Sequence, residues 1–360
     1  MTRKLLFLNG LAILAIPIQH VTAYGLQAMF EWTDRYRDVL VPNYDAVGSP
    51  AFVVSMVLRQ LSTYSVPGFL FISGFFIAFM VRGKEANLSY KTILPRIRTL
   101  VYPFLIWTVI RYILLRQFPS SLDDILNPYH FIPLLIQFYL ISPLLVKWAR
   151  RNWKSLLAIT AVLHLGLQLV RYIEDFGLTF PGMEQILFVS PRWAIHGQQP
   201  FWFPLGLVAG MNTKGFGDFL ERVKPWLLPA AILFAVTLNA EYLIADSLNG
   251  PAWIGPTFSG FSRNFFILAV LMLVLASDDT KFPYSKKISE VGTRSLGIYL
   301  GNIPFIYVTA VLMYRLTPAL LGIQVLYQPI LFAAGFLGPL ALMWFVRSTR
   351  LRGAYRYLFG

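Results

Sequence analysis

The chain has 360 residues, 56% of them hydrophobic and 13% charged, with no cysteine and a net charge of +14. A soluble domain carries about 25% charged residues, so the composition excludes an ordinary globular domain and points to a polytopic membrane protein. The missing cysteines exclude thiolate catalysis, disulfides and cysteine-ligated metals. The positive balance fits basic residues that orient spans better than a nucleic-acid surface.

At about 20 apolar residues per crossing, ten spans are expected, near residues 5–25, 62–82, 99–116, 131–148, 155–172, 197–212, 226–246, 262–277, 292–314 and 325–347. Two of these, 197–212 and 262–277, are short enough to be tilted or re-entrant. No long polar segment, internal repeat or low-complexity tract divides the chain. The expectation is therefore one all-α integral domain over 1–360. A cytoplasmic N-terminus puts most of the 31 Lys and Arg on the cytoplasmic side and both termini inside.

The first span contains "LNGLAILAIPIQH", with Asn9 and His20 in an otherwise apolar run. Arg3, Lys4 and the small-residue stretch Val21-Thr22-Ala23 also fit a cleavable signal. Asn9, Pro17, Gln19 and His20 interrupt that run, however, and apolar character resumes beyond Ala23, which favours a retained span. At about 1.5 Å per residue, His20 lies about 24 Å from Lys4, in the outer part of the layer. Asn9, eleven residues earlier, shares its helix face after about three turns. His20 either holds a hydrogen bond between helices or works in an interior channel.

Further along, "LPRIRTLVYPFLIW" sets Arg96 and Arg98 at the entrance of the third span. Topology alone explains basic residues there; the functional alternative is a cradle for the phosphates of an anionic donor. Arg111 in the third span and Glu241 in the seventh reach depths of about 18 and 22 Å. Charges at such depth are costly and commonly functional. They fit a structural ion pair, a snorkelling arginine, or a carboxylate that tunes a histidine or an acceptor hydroxyl. His20, His130, His164 and His196 show no metal-ligand spacing, and no metal is expected.

Several stretches together resemble the acyltransferase-3 family of integral membrane acyltransferases. "NGLAILAIPIQH" is similar to its first span, and "SVPGFLFISGFFIAF" with Ser73 and Gly74 to its second. "PRIRTLVYPFLIW" resembles its basic entry to the third span, and "HFIPLLIQFYLISPLL" with Tyr139 and Pro143 its fourth. "SLGIYLGNIPF" resembles a late span that usually reads Ser, Tyr, Leu and then His, where Asn302 stands here. The resemblance implies transfer of an acyl group, commonly acetyl and sometimes succinyl, from coenzyme A to a hydroxyl of a cell-surface glycan or glycolipid. It implies an essential His at His20 and an Arg eleven residues earlier, at a position held here by Asn9. Its paired arginines before the third span stand three apart; Arg96 and Arg98 stand two apart.

The expected site therefore has His20 and Glu241 in catalysis and Asn9, Arg96, Arg98 and Arg111 on the donor. Ser73, Tyr139 and Asn302 face the acceptor. Acetyl-CoA is the expected co-substrate, with membrane lipid and a glycan or glycolipid acceptor as partners, in a bacterial inner membrane. No nucleic-acid partner is expected, and a homo-oligomer stays open. The donor's phosphates would rest against Arg96 and Arg98 while its pantetheine arm passes Asn9 to His20. His20 then acts as general base or carries the acyl group itself. Buried Arg111, Glu241 and His20 also suit a transporter or flippase for a lipid-linked or anionic solute. Asp45 and the Asp123–Asp124 pair leave a membrane glycosyltransferase as a weaker option.

Overall fold

A computed structural model describes residues 2–32, 46–81, 88–116, 118–197, 199–248, 260–278 and 282–360; Asp45 lies outside them. All regular structure among the described residues is helical. In chain order the helices are α1 (Thr2–Gln27, prolonged by a π turn, Ala28–Trp32), α2 (Pro50–Leu61), α3 (Ser65–Met80), α4 (Tyr90–Leu115) and α5 (Leu122–Leu126). Then come α6 (Phe131–Asp175), α7 (Met183–Phe188), α8 (Trp202–Met211), α9 (Thr213–Leu248), α10 (Ser262–Ala276) and α11 (Ser285–Gly292). The chain closes with α12 (Ser295–Leu316), α13 (Gln324–Ser348) and α14 (Tyr355–Phe359).

Among the described residues, seven helical segments are long and apolar enough to cross a membrane, and α8 and α10 are shorter apolar helices. The expected spans 131–148 and 155–172 both fall on α6. Its helical course breaks at Asn152 (φ −158°, ψ 86°). The extended Asn152 turns its side-chain oxygen onto the Ser155 N–H at 3.1 Å, an N-cap that starts the second half. The sequence reading did not anticipate α2. Ser49 caps it by accepting the Phe52 N–H, Pro50 occupies its first turn, and it stops at Ser62 before α3 begins.

α1 runs through the middle of the bundle and packs against α2, α3, α10, α11, α12 and α13. Its approach to α11 is close: a side chain on Gly10 would run into the Ile288 carbonyl. The α3–α8 crossing is just as tight. A Cβ on Gly74 would meet the Phe203 carbonyl, and one on Gly206 the Phe71 carbonyl. Lipid gives no hydrophobic drive between helices, so small residues that admit backbone contact hold such crossings. One large apolar cluster from α1, α3, α4, α6, α8, α10 and α12 forms the core.

Three of the helices that end at the cavity are well short of the hydrocarbon layer of about 30 Å. At about 1.5 Å per residue, α2, α8 and α10 span about 18, 15 and 22 Å. The C-terminal end of α2 and the N-terminal ends of α8 and α10 converge beside the His20 level of α1. The polar groups of these helix ends line a cavity there, where irregular backbone at membrane depth is tolerated.

Candidate active site

The cavity at the His20 level has a volume of about 140 Å³ and is unusually basic. Its lining includes His20, Arg59, His130, His164, Arg192 and Arg263, together with glutamines, Asn264 and Tyr299, and no Asp or Glu among the described residues. The broken α2–α3 pair builds one wall. Gln19 satisfies the break by donating to the Ser62 carbonyl (2.5 Å) and the Ser65 hydroxyl (3.1 Å). Arg59 donates to the Gln19 carbonyl at 2.7 Å, locking the end of α2 onto α1. On the opposite wall Arg263 donates to the Gln168 side-chain oxygen at 2.9 Å, and His164 pairs with Asn264 at 3.0 Å.

His20 is oriented by Asn302 of α12, a fully buried residue. The His20 Nδ1 and the Asn302 Oδ1 lie 2.5 Å apart. The Asn302 amide nitrogen donates to the carbonyls of Ile298 (3.1 Å) and Tyr299 (2.5 Å), which assigns its oxygen as acceptor. The proton on neutral His20 therefore sits on Nδ1, and Nε2 keeps the lone pair on a ring that lines the cavity. This is the geometry of an oriented general base.

His130, just before α6, lies close enough for the His20 charge to act on it. Its pKa is lowered to about 4, first by burial and then by the nearby Arg192 charge. It is neutral at pH 7, with the Asn127 carbonyl 3.2 Å from its Nδ1. Three histidines thus share the cavity wall, yet among the described residues no group of three His, Asp or Glu is placed to hold a metal ion.

A second cavity, of about 200 Å³, lies at the Asn9 level of α1. Asn9, Ser73, Ser295 and Tyr299 line it, with a mostly apolar remainder from α3, α4 and α6. Tyr299 belongs to both linings, so one side chain stands between the two spaces. Ser73 is hydrogen-bonded to the Tyr139 phenol, on which the Arg96 charge also acts. Each cavity is smaller than the roughly 300–1,000 Å³ of a site for a drug-sized ligand, so each admits the end of a substrate and not its bulk.

The expected site residues divide accordingly. His20 and Asn302 are in contact; Asn9, Ser73 and Tyr139 gather one level away, with Arg96 in electrostatic reach. Asn9 is tied into the scaffold, donating to the Gly292 carbonyl at 2.6 Å and the Ser295 hydroxyl at 3.2 Å. Arg96 and Arg98 are both exposed on α4. Arg111 is not brought to the Arg96 end: fifteen residues along α4 separate them by about 22 Å. It lines a third recess with Asp123 and Asp124, and its Nη1 is buried without a hydrogen-bond partner.

Glu241 does not line the His20 cavity and forms no ion pair with Arg111. Its carboxylate accepts from the Ser262 N–H (3.1 Å) and hydroxyl (2.6 Å), capping α10. Equal depth on two helices leaves their rotation open, and rotation turns Glu241 towards α10. Asp124 completes the capping box of α5, and hydrogen bonds from Ser120 hold its pKa below the usual carboxylate value. Asp123 accepts from the Trp193 indole at 2.9 Å. Both acids are built into the first turn of α5.

Arg59, His130, His164, Arg192 and Arg263 had not been assigned to the site from the sequence. The signal present was the hydropathy dip of "RQLSTYSVPG", where polar residues interrupt what would be a single span.

A family model described as an acyltransferase domain, Acyl_transf_3, matches residues 6–346. The chain belongs to the acyltransferase-3 family. Its apolar helices and this membership make it an integral membrane protein and support an acyltransferase. No match to the chain is found among curated proteins or among solved structures.

Proposed function

We propose that this acyltransferase-3 member moves an acyl group, acetyl in the simplest case, from acyl-CoA to an acceptor hydroxyl of a surface glycan or glycolipid. The observation that carries the reading is the His20–Asn302 pair, which presents an oriented base on the wall of a polar cavity. The two cavities meeting at Tyr299 supply separate approaches for donor and acceptor. The single domain has ten crossings, counting both halves of α6 and the short α8 and α10, and both termini are cytoplasmic. The protein sits in a bacterial inner membrane. The positive-inside pattern supports this orientation.

In this reading the thioester arm enters from the Asn9 end, along the apolar lining between Ser73 and Tyr299, while the CoA phosphates stay by Arg96. The acceptor hydroxyl enters from the His20 cavity. His20 Nε2 takes the hydroxyl proton as the oxygen attacks the thioester carbonyl. The C–O bond forms, the C–S bond breaks, and the proton passes from Nε2 to the departing sulfur, releasing CoA thiol. Asn302 accepts from Nδ1–H throughout and stabilises the transient imidazolium. No metal is called on.

The test is release of CoA thiol, and of radiolabelled acetyl into the envelope fraction, by vesicles containing the protein. Wild type consumes acetyl-CoA, while His20→Ala at equal expression and equal thermal stability does not. Full transfer by His20→Ala overturns the mechanism. Movement of an anionic solute without thiol release would establish the transporter reading instead.

A further inference from the structure

We propose that the acceptor is lipid-borne: its hydrocarbon chain lies in a long apolar groove between α6, α8, α9 and α10 while its hydroxyl enters the His20 cavity. This rests on the transfer reading above for the word acceptor only.

The groove has a volume of about 750 Å³, within the roughly 300–1,000 Å³ of a ligand site and far larger than the cavities at the His20 and Asn9 levels. Trp153 and Leu157 of α6, Leu205 of α8, Phe216 and Phe234 of α9 and Phe265 of α10 are among its walls. Protein interiors leave few spaces larger than a water molecule, so a space of this size between four helices takes up a guest. An apolar lining admits hydrocarbon. Along α9 the groove runs from Phe216 to Phe234, eighteen residues or about 27 Å. One leaflet is about half of a hydrocarbon layer about 30 Å thick. The groove is therefore longer than one leaflet is deep, and it suits a single long chain.

What makes the guest a substrate is where the groove ends. Phe201, in its lining, stacks on His164 of the His20 cavity, with ring centroids 6.3 Å apart and planes at 24°. The neighbouring Trp202 lines the His20 cavity itself, and on α10 Ile267 lines that cavity while Leu268 lines the groove. One layer of side chains thus separates the two spaces. On α6, Leu157 lines the groove, whereas His164 and Gln168, seven and eleven residues further on and so on the same helix face, line the cavity. That face changes from apolar to polar over about 10 Å. A molecule with a polar head and one long tail matches both parts; a soluble sugar matches only the polar part. Lipid gives the chain no hydrophobic drive to leave the bilayer. The chain contributes through shape, and by linking two sites so that the head meets the cavity at high effective concentration.

The test is a binding measurement with the full chain in phosphatidylcholine nanodiscs. Three radiolabelled probes share one head: methyl glucoside, glucosyl dioleoylglycerol and a glucosyl polyprenol. The expected result is binding of the polyprenyl probe about tenfold or more tighter than the diacyl probe at equal mole fraction in the disc, and no measurable binding of methyl glucoside. A photoreactive group at mid-chain of the polyprenyl probe labels the groove walls around Leu205 and Phe234. Ala230→Trp, which fills the groove from α9, abolishes the preference for the long chain and leaves acetyl-CoA binding unchanged. Val223→Trp, on the same wall, does the same and keeps the test valid if Ala230→Trp fails to fold.

Equal binding of the diacyl and polyprenyl probes overturns the proposal, since ordinary membrane lipid is then the guest. So does photolabelling outside the groove, or a folded groove variant that keeps the tenfold preference. Transfer of acetyl to methyl glucoside with the same kcat/KM as to the polyprenyl probe would keep the transfer reading and remove the chain site. Tight polyprenyl binding by a chain that never consumes acetyl-CoA would remove the transfer reading and leave the chain site standing.

Discussion

Replacing Asn302 with Ala removes the one side chain that fixes the tautomer of His20. The 2.5 Å contact links a buried acceptor to Nδ1–H, and it strengthens when the ring becomes an imidazolium in the transition state. A hydrogen bond to a charged group contributes about 1.5–3 kcal/mol. At about 1.4 kcal/mol per decade of rate, kcat should fall roughly 10- to 150-fold. The KM for acetyl-CoA should hardly move, because Asn302 does not line the cavity at the Asn9 level. Folding loses about 1–3 kcal/mol from the stranded Nδ1–H, read as a lowered melting temperature. Asn302→Asp keeps an acceptor for Nδ1–H and loses only the bonds to the Ile298 and Tyr299 carbonyls, so it should recover most of the rate. The assay is acetyl transfer from labelled acetyl-CoA, with folded protein quantified by thermal unfolding. A folded Asn302→Ala protein with kcat within twofold of wild type would refute the orientation argument.

Other expectations separate scaffold from chemistry. Glu241→Gln leaves Ser262 an amide oxygen in place of a carboxylate and should cost about 1 kcal/mol, as cap losses do, with kcat unchanged; a tenfold drop in kcat would return Glu241 to the catalytic group. Arg96→Gln should raise the KM for acetyl-CoA about tenfold while Arg98→Gln barely changes it, and equal effects in steady-state kinetics would count against the donor path drawn here. Gly206→Val drives a side chain into the Phe71 carbonyl and should abolish folded protein in size-exclusion profiles. A monodisperse, active Gly206→Val would mean that α3 and α8 are not held by backbone contact.

The helical membrane character was legible because membrane helices announce themselves by composition: among the described residues seven helical segments are long and apolar enough to cross, where the sequence led one to expect ten spans. What joins distant segments was not legible. His20 and Asn302 are 282 positions apart, and Asn302 read as a gap in a pattern because a sequence does not record which helix faces meet. The same limit hid the cavity lining. Arg59, His130 and Arg192 lie on a short helix and connecting segments that look like topology or loop, and only the convergence of truncated helices turns them inward. Glu241 shows the converse limit. Its depth matched that of His20, but depth is one coordinate of three, and its carboxylate caps a neighbouring helix.

Asn9 brings these strands together. The family resemblance leads one to expect a cation there, yet the structure gives Asn9 a job that a cation would do poorly, donating to the Gly292 carbonyl and Ser295 hydroxyl where α11 hands over to α12. Lys4, on the same helix, is also committed, reaching the Leu275 carbonyl at the end of α10. The Asn9-level cavity is thus nearly neutral, and the charge of a donor must be met outside it. On α4, Arg96 and Arg98 are about 200° apart around the axis, so they face different surroundings, and Arg96 is the one whose charge reaches Tyr139. The His20 cavity, by contrast, gathers three arginines. Among the described residues, basic side chains are therefore sparse at the Asn9 level of α1 and dense at its His20 level, so the two ends of one helix face offer different chemistry.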